Sequence, residues 1–212
     1  MNLELYIITD ENVGFRKTHA EIAKLAIAGG ADAIQLRDKS CSSRELLRIG
    51  RTVREITHRN STLLIVNDRL DVALACGADG VHLGQSDMRT DVARQLAPPG
   101  FLIGVSVRNV DEACRAELEG ADYVALSPIF SSVSKPDAGP GHGLEMLREI
   151  QRNVSVPVIA IGGINSGNVR DVIAAGAAGV AVISAVVGTA DINAAARDLK
   201  NMIRQCKSAG HP

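Results

Sequence analysis

Aromatic residues make up only 2% of this 212-residue chain: two tyrosines, three phenylalanines and no tryptophan. That excludes a broad stacking platform for nucleobases. A heteroaromatic ligand would have to rest on few rings or on aliphatic walls, and Tyr6 and Phe130 are the candidates. Cysteine is equally sparse. The four present (Cys41, Cys76, Cys114, Cys206) are scattered and form no C-x-x-C, which argues against a disulfide frame or a zinc site and for reduced thiols. An excess of one charge sign is also missing: 23 basic against 24 acidic residues leave a net charge of −1, so no broad basic face offers itself to nucleic acid. No apolar run approaches the length of a membrane span, and no basic segment precedes the apolar N-terminal run. A soluble cytoplasmic protein with small-molecule partners is therefore expected, in contact with neither membrane nor nucleic acid. Its oligomeric state is not readable from these features.

What the chain does have is alternation. Continuous apolar runs fall at 5–9, 33–36, 62–66, 80–83, 102–105, 123–126, 158–161 and 179–183, and between them lie periodic or alanine-rich stretches such as 18–28, 43–57, 111–118 and 143–150. Eight strands alternating with helices imply parallel pairing through right-handed crossovers, and eight is the number that closes a barrel. Unbroken apolar strands fit a sheet covered by helices on one face and a packed interior on the other. A phrase also recurs before four strands: A-G-G-A-D-A-I (28–34), A-C-G-A-D-G-V (75–81), L-E-G-A-D-Y-V (118–124) and A-A-G-A-A-G-V (174–180). Each reads as a helix end, a glycine suited to a left-handed C-cap, and entry into a strand. The expected fold class is α/β, a single-domain (β/α)8 TIM barrel over 1–207 with a loose tail at 208–212; an open doubly wound sheet is the alternative.

In such a barrel the chemistry sits on the loops that follow the strands. The third strand delivers Asn67 and Asp68, and the fourth is followed by Asp87. Two carboxylates and an amide at one rim suit a hard divalent cation, which takes oxygen ligands and keeps waters and substrate phosphates in its shell. Taken singly, each Asp is more simply a helix N-cap; together, beside a cationic loop, they favour metal. That loop is Gln35-Leu36-Arg37-Asp38-Lys39, where alternation puts one amide and two cations on one side, a set suited to a polyanion or equally to a solvated charged loop. His82, inside the fourth strand, reads as a core histidine bonded to backbone. Ser106 reads as a substrate contact or a helix cap, with the cap the blander choice. The longest polar segment, 127–143, offers Ser132, Ser134 and Lys135 and has the Gly/Pro content of a lid. Glycines at 162 and 163 and Ile183-Ser184 match the phosphate site commonly built after strands seven and eight.

The motifs Q-L-R-x-K, N-D, H-L-G-Q-x-D, G-V-S, S-x-S-K, I-G-G-I and I-S, each closing its own strand in this order, resemble the thiamine-phosphate synthase family over nearly the whole chain. The resemblance implies a (β/α)8 barrel that joins hydroxymethylpyrimidine diphosphate to hydroxyethylthiazole phosphate, or its carboxylated form, giving thiamine phosphate and diphosphate. It implies that the segment Gln35, Leu36, Arg37, Asp38 and Lys39 holds the pyrimidine diphosphate together with Asn67, Ser106 and Lys135. It further implies that Asp68 and Asp87 bind Mg²⁺, and that Ser132, Val133, Ser134, Gly163, Ile183 and Ser184 hold the thiazole phosphate. Arg37, Lys39 and Lys135 would steady the leaving diphosphate. The chain departs from the family pattern at Ser132 and Ser134, where threonines are common, and at Ser127, where a glycine usually precedes the proline. Three rivals share parts of the pattern. A thiazole tautomerase would lack the acidic pair and carry a His soon after Ser106, where this chain has Val107-Arg108. A Schiff-base aldolase using Lys39 or Lys135 leaves both aspartates unexplained, and a non-catalytic sensor of thiamine precursors leaves the metal carboxylates without a purpose.

Overall fold

Strands too apolar to face water must be covered on both sides, and a closed ring of strands inside a ring of helices does so. In the computed structural model, which describes residues 3–131 and 141–209, the strands are β1 (Leu5–Ile8), β2 (Ala33–Leu36), β3 (Leu63–Asn67), β4 (Gly80–Leu83), β5 (Leu102–Val107), β6 (Tyr123–Leu126), β7 (Val158–Ile161) and β8 (Gly179–Val182). They pair in parallel in chain order and close through β1 against β8. The helices are α1 (His19–Ala28), α2 (Ser43–Arg59), α3 (Leu70–Cys76), α4 (Thr90–Leu96), α5 (Val110–Leu118), α6 (Gly143–Asn153), α7 (Val169–Ala174), α8 (Ser184–Val187) and α9 (Ile192–Ala209). The barrel expected from the alternation is thus the architecture found, with strand ends shifted by one or two residues where they hand over to the rim loops.

Local chemistry explains the individual elements. Thr18 and Glu21 form a reciprocal capping box at the start of α1, satisfying two N–H groups that the helix itself leaves open. Helix α2 buries Leu46, Gly50, Val53 and Thr57, an i, i+4, i+7, i+11 stripe turned to the barrel. The recurrent phrase does two jobs. Its glycines Gly30, Gly77, Gly120 and Gly176 all take positive φ, as the C-cap reading anticipates. Its aspartates, unremarked in the sequence, bind the strand before: Asp32 accepts the N–H of Leu5 at 2.8 Å, Asp79 that of Leu64 at 2.8 Å and Asp122 that of Ile103 at 2.7 Å. A cation neutralises each one, Lys200 for Asp32, Arg54 for Asp79 and Arg94 for Asp122. Helix α9 continues through Ser208, whose hydroxyl donates to the carbonyl of Arg204, so the tail expected from 208 begins inside a helix.

Candidate active site

Register fixes which rim residues can meet. Leu36 lies beside Val66, Asn67 beside His82 and Leu83 beside Val105, so the residues that follow β2, β3, β4 and β5 line one side of the carboxyl-terminal rim. A cavity opens there, lined among others by Gln35, Arg37, Lys39, Asn67, Asp68, Asp87 and Ser106. The alternation of Gln35, Arg37 and Lys39 is as expected, and all three line it. Leu36 and Asp38, grouped with them in the sequence, do not. Leu36 is fully buried behind the strand. Asp38 instead accepts from the N–H groups of Ser40 and Cys41, the Ser40 hydroxyl and the Cys41 thiol. Burial works to raise the Asp38 carboxyl, but the hydrogen bonds from Cys41 and Ser40 hold it well below the usual carboxylate range. The pleat is the reason: successive side chains of an extended segment point to opposite faces.

The aspartates resolve against capping. Asp68 follows β3 with φ of +62°, and the N-cap position of α3 is Arg69, with no side-chain cap bond. The N-cap of α4 is likewise Arg89 without one, while an Asp87 oxygen accepts the N–H of Gly84 at 2.6 Å. Both carboxylates therefore belong to the cavity rather than to the helix ends. Burial, then a hydrogen bond with Asp87 and that neighbour's charge, push the Asp68 carboxyl up from 3.8 to about 6; Lys39 and Arg37 pull the other way. Lys39 Nζ stands 4.0 Å from Asp68 Oδ2, and Arg37 Nη1 3.6 Å from Asp10 Oδ2. Two anions held together at the bottom of a cavity make a site whose charge is best balanced by something that comes in from solution.

Three residues differ from their expected surroundings. His82 is buried, and its ring bonds side chains: Nε2 lies 2.8 Å from Ser106 Oγ, and Nδ1 lies 3.1 Å from the Tyr123 hydroxyl. Ser106 accordingly does not cap α5, whose cap is Asn109. Tyr6 is fully buried in the barrel interior, where its hydroxyl meets Gln35 and Tyr123, so it offers no stacking face to a ligand. The signal missed in the sequence was the pairing of polar side chains on strands that are otherwise apolar.

Across the rim, β7 and β8 pair with Ile161 beside Ala181. Gly162 and Gly163 follow with φ of +100° and +66°, and Ile183 and Ser184 lead into the short helix α8. A Cβ on Gly163 would stand 2.7 Å from both Phe130 Cβ and the carbonyl oxygen of Ser131, so the backbone after β6 lies directly on this turn. Phe130 is half-buried against it, its N–H donating to the Gly162 carbonyl at 3.1 Å. Ser132, Val133, Ser134 and Lys135 lie outside the described residues.

A closed eight-stranded barrel with cations, a carboxylate pair and a glycine turn at its carboxyl-terminal rim has the architecture of the (β/α)8 enzymes, which carry their sites at that face. Comparison with known proteins narrows this. The family model described as thiamine monophosphate synthase matches residues 5–186. The thiamine-phosphate synthase of Methanoregula boonei is 64% identical over 98% of this chain and 96% of its own, and that of Methanoculleus marisnigri is 59% identical over 99% and 100%. The solved thiamine phosphate pyrophosphorylase of Pyrococcus furiosus superposes with a TM-score of 0.90 at 44% identity, covering 97% of both chains. The chain belongs to the thiamine monophosphate synthase family, and it is a transferase of thiamine biosynthesis. Among the described residues no helix is long and apolar enough to cross a membrane.

Proposed function

We propose that the rim cavity is where hydroxymethylpyrimidine diphosphate is held and releases its diphosphate, its methylene carbon then bonding to the nitrogen of hydroxyethylthiazole phosphate, plain or carboxylated. The observation that carries this reading is the gathering of Arg37 and Lys39 with Asp68 and Asp87 in one cavity. Cations alone would suit any phosphate. Cations beside two carboxylates suit a diphosphate that arrives with a divalent ion.

Mg²⁺ fits the donor set. Among the described residues no three His, Cys, Asp or Glu side chains cluster to cage a metal. Mg²⁺ ordinarily uses only one or two carboxylates and takes its other ligands from water and substrate phosphates. Asp68 and Asp87 would hold it, and when bound it would neutralise charge on the departing diphosphate.

The chain's own residues then act by position and charge. Gln35, Asn67 and Ser106 orient the pyrimidine diphosphate, Arg37 offers a planar fork to its oxygens, and Lys39 a mobile point charge. The bond between the pyrimidine methylene and the diphosphate oxygen breaks first. Its electron pair leaves with diphosphate, and the ring amino group stabilises the cation left behind. The thiazole nitrogen, brought up by a substrate whose phosphate Gly163, Ile183 and Ser184 hold at the facing rim, supplies the new C–N pair. Lys135, with Ser132, Val133 and Ser134, enters this scheme through the family resemblance alone. No protein nucleophile is required; alignment and electrostatic stabilisation do the work. The reduced state of the four cysteines agrees with a cytoplasmic setting.

The test is direct. Purified protein with both substrates and Mg²⁺ should release diphosphate and form thiamine phosphate, detected as thiochrome fluorescence, and EDTA should abolish both. Substrate binding without product, or turnover indifferent to EDTA, would overturn the reaction or the metal assignment respectively.

A further inference from the structure

A line of hydrogen bonds crosses the barrel interior beneath the cavity. Gln35 Nε2 donates to the Tyr6 hydroxyl at 2.9 Å, the Tyr6 and Tyr123 hydroxyls are 3.2 Å apart, Tyr123 meets His82 Nδ1 at 3.1 Å, and His82 Nε2 meets Ser106 Oγ at 2.8 Å. Both ends, Gln35 and Ser106, line the cavity. The sequence makes room for this line: a Cβ at Gly104 would stand 2.0 Å from the Tyr123 ring. His82 also stacks on that ring, with centroids 5.7 Å apart.

Requiring every donor along this line to find an acceptor, with the Gln35 amide nitrogen on Tyr6, gives it one direction. Burial pushes both phenols well above the usual tyrosine value, so each keeps its proton and must donate it. Among the described residues the Tyr6 hydroxyl has two partners, the Gln35 amide nitrogen and Tyr123. The amide nitrogen only donates, so the Tyr6 proton goes to Tyr123. Tyr123 must then give its own proton to His82 Nδ1. A ring nitrogen that accepts carries no proton, which leaves the imidazole proton on Nε2, directed at Ser106 Oγ.

We propose that His82 and Tyr123 are positioning residues that make Ser106 a hydrogen-bond donor to the ligand: its oxygen is engaged by His82 Nε2–H, and its proton is left for an acceptor in the cavity. The arrangement presents a hydrogen-bond donor at this point to an oxygen-rich anion. It rests on the reading of the cavity as the diphosphate site, and it assigns His82 a purpose that requires no proton transfer.

The experiment is ¹⁵N–¹H correlation of the histidine rings in the full-length protein at neutral pH, with His82 assigned by loss of its signals in His82→Asn. The expected result is the Nε2–H tautomer at His82. In Tyr123→Phe, Nδ1 loses its donor and the tautomer signature shifts toward a mixture, while Tyr6→Phe keeps the Nε2–H form because Tyr123 still donates to His82. Kinetically, Tyr123→Phe should lower kcat/KM for the pyrimidine diphosphate about tenfold, the scale of one lost hydrogen bond to a charged group. A wild-type His82 carrying its proton on Nδ1, or a Tyr123→Phe protein with unchanged tautomer and unchanged kcat/KM, overturns the proposal. Failure of the wild type to make thiamine phosphate overturns instead the reaction assigned to the cavity, and the ring spectra still decide the direction of the line.

Discussion

The two ends of this barrel use the same side chain for opposite purposes. At the amino-terminal end Asp32, Asp79 and Asp122 each have a backbone N–H and a cation of their own; Arg54 lies 2.7 Å from Asp79, and the almost wholly buried Lys200 lies 2.5 Å from Asp32 and 2.8 Å from Glu4. At the carboxyl-terminal end Asp87 is the largest influence on Asp68 after burial, and the one cation within 4.0 Å among the described residues, Lys39, is largely exposed. Carboxylates with their partners built in hold strands together. Carboxylates held against each other store a charge imbalance that a ligand can relieve. The difference is in the partners and not in the residue type, and it separates the stability face of a (β/α)8 barrel from its working face.

The sharpest way to break this contrast is to neutralise one member of each set. Asp68→Asn should lower kcat roughly 100-fold or more, because the proposed Mg²⁺ site would lose one of its two carboxylates, yet leave the melting temperature unchanged or raised. Asp79→Ala should do the reverse. It leaves the Leu64 N–H and Arg54 without their acceptor, at a cost of about 2–3 kcal/mol in urea unfolding, with kcat per folded molecule close to wild type. If Asp68→Asn proves the more destabilising of the two, the two ends are not divided as described.

The contrast also has a pH signature. Asp68 sits at about 6 in the folded protein against an ordinary 3.8. A raised folded-state value means that this group's contribution is fully present below the ordinary value and is lost as pH rises through about 6. Metal-free wild type should therefore lose about 2 kcal/mol relative to Asp68→Asn between pH 4 and 6, read from urea midpoints in EDTA. Added Mg²⁺ should shrink that gap, since a cation replaces the proton as the counter-charge. Equal pH profiles for the two proteins would remove the charge conflict at the rim.

How much of this was legible beforehand follows the same division. Eight apolar runs and the repeated glycine phrase were enough for the barrel, because period and punctuation are local properties of the chain. The rim set of Gln35, Arg37, Lys39, Asn67, Asp68 and Asp87 was legible because a parallel barrel sends every strand end to one face. What could not be read was pairing at a distance. The partner of Asp32 is Lys200, 168 residues on, and the partner of His82 is Tyr123, 41 residues on. Leu36 and Asp38 entered through the family resemblance, and the pleat directs neither side chain to the lining of the cavity. Nothing in the spacing said that His82 would bond side chains, since an apolar strand looks alike whether its one polar residue meets backbone or a phenol.

The smallest effect separates the ends most finely, because it compares two glycines of nearly equal conformation. Gly77 has φ of +67° at the amino-terminal end, with nothing within 4 Å of where a Cβ would stand. Gly163 has φ of +66° at the rim, with Phe130 and the Ser131 carbonyl at 2.7 Å. An alanine in the left-handed region costs about 1–2 kcal/mol from its own backbone, and both variants bear that cost. At Gly77 it should be the whole effect: a stability loss of about 1 kcal/mol and unaltered kinetics. At Gly163 the new methyl must also displace the backbone after β6, so KM for the thiazole phosphate should rise severalfold beyond anything the stability loss explains. Should Gly77→Ala raise that KM as much as Gly163→Ala does, the left-handed backbone itself, rather than its closeness to the rim, would be what the reaction needs.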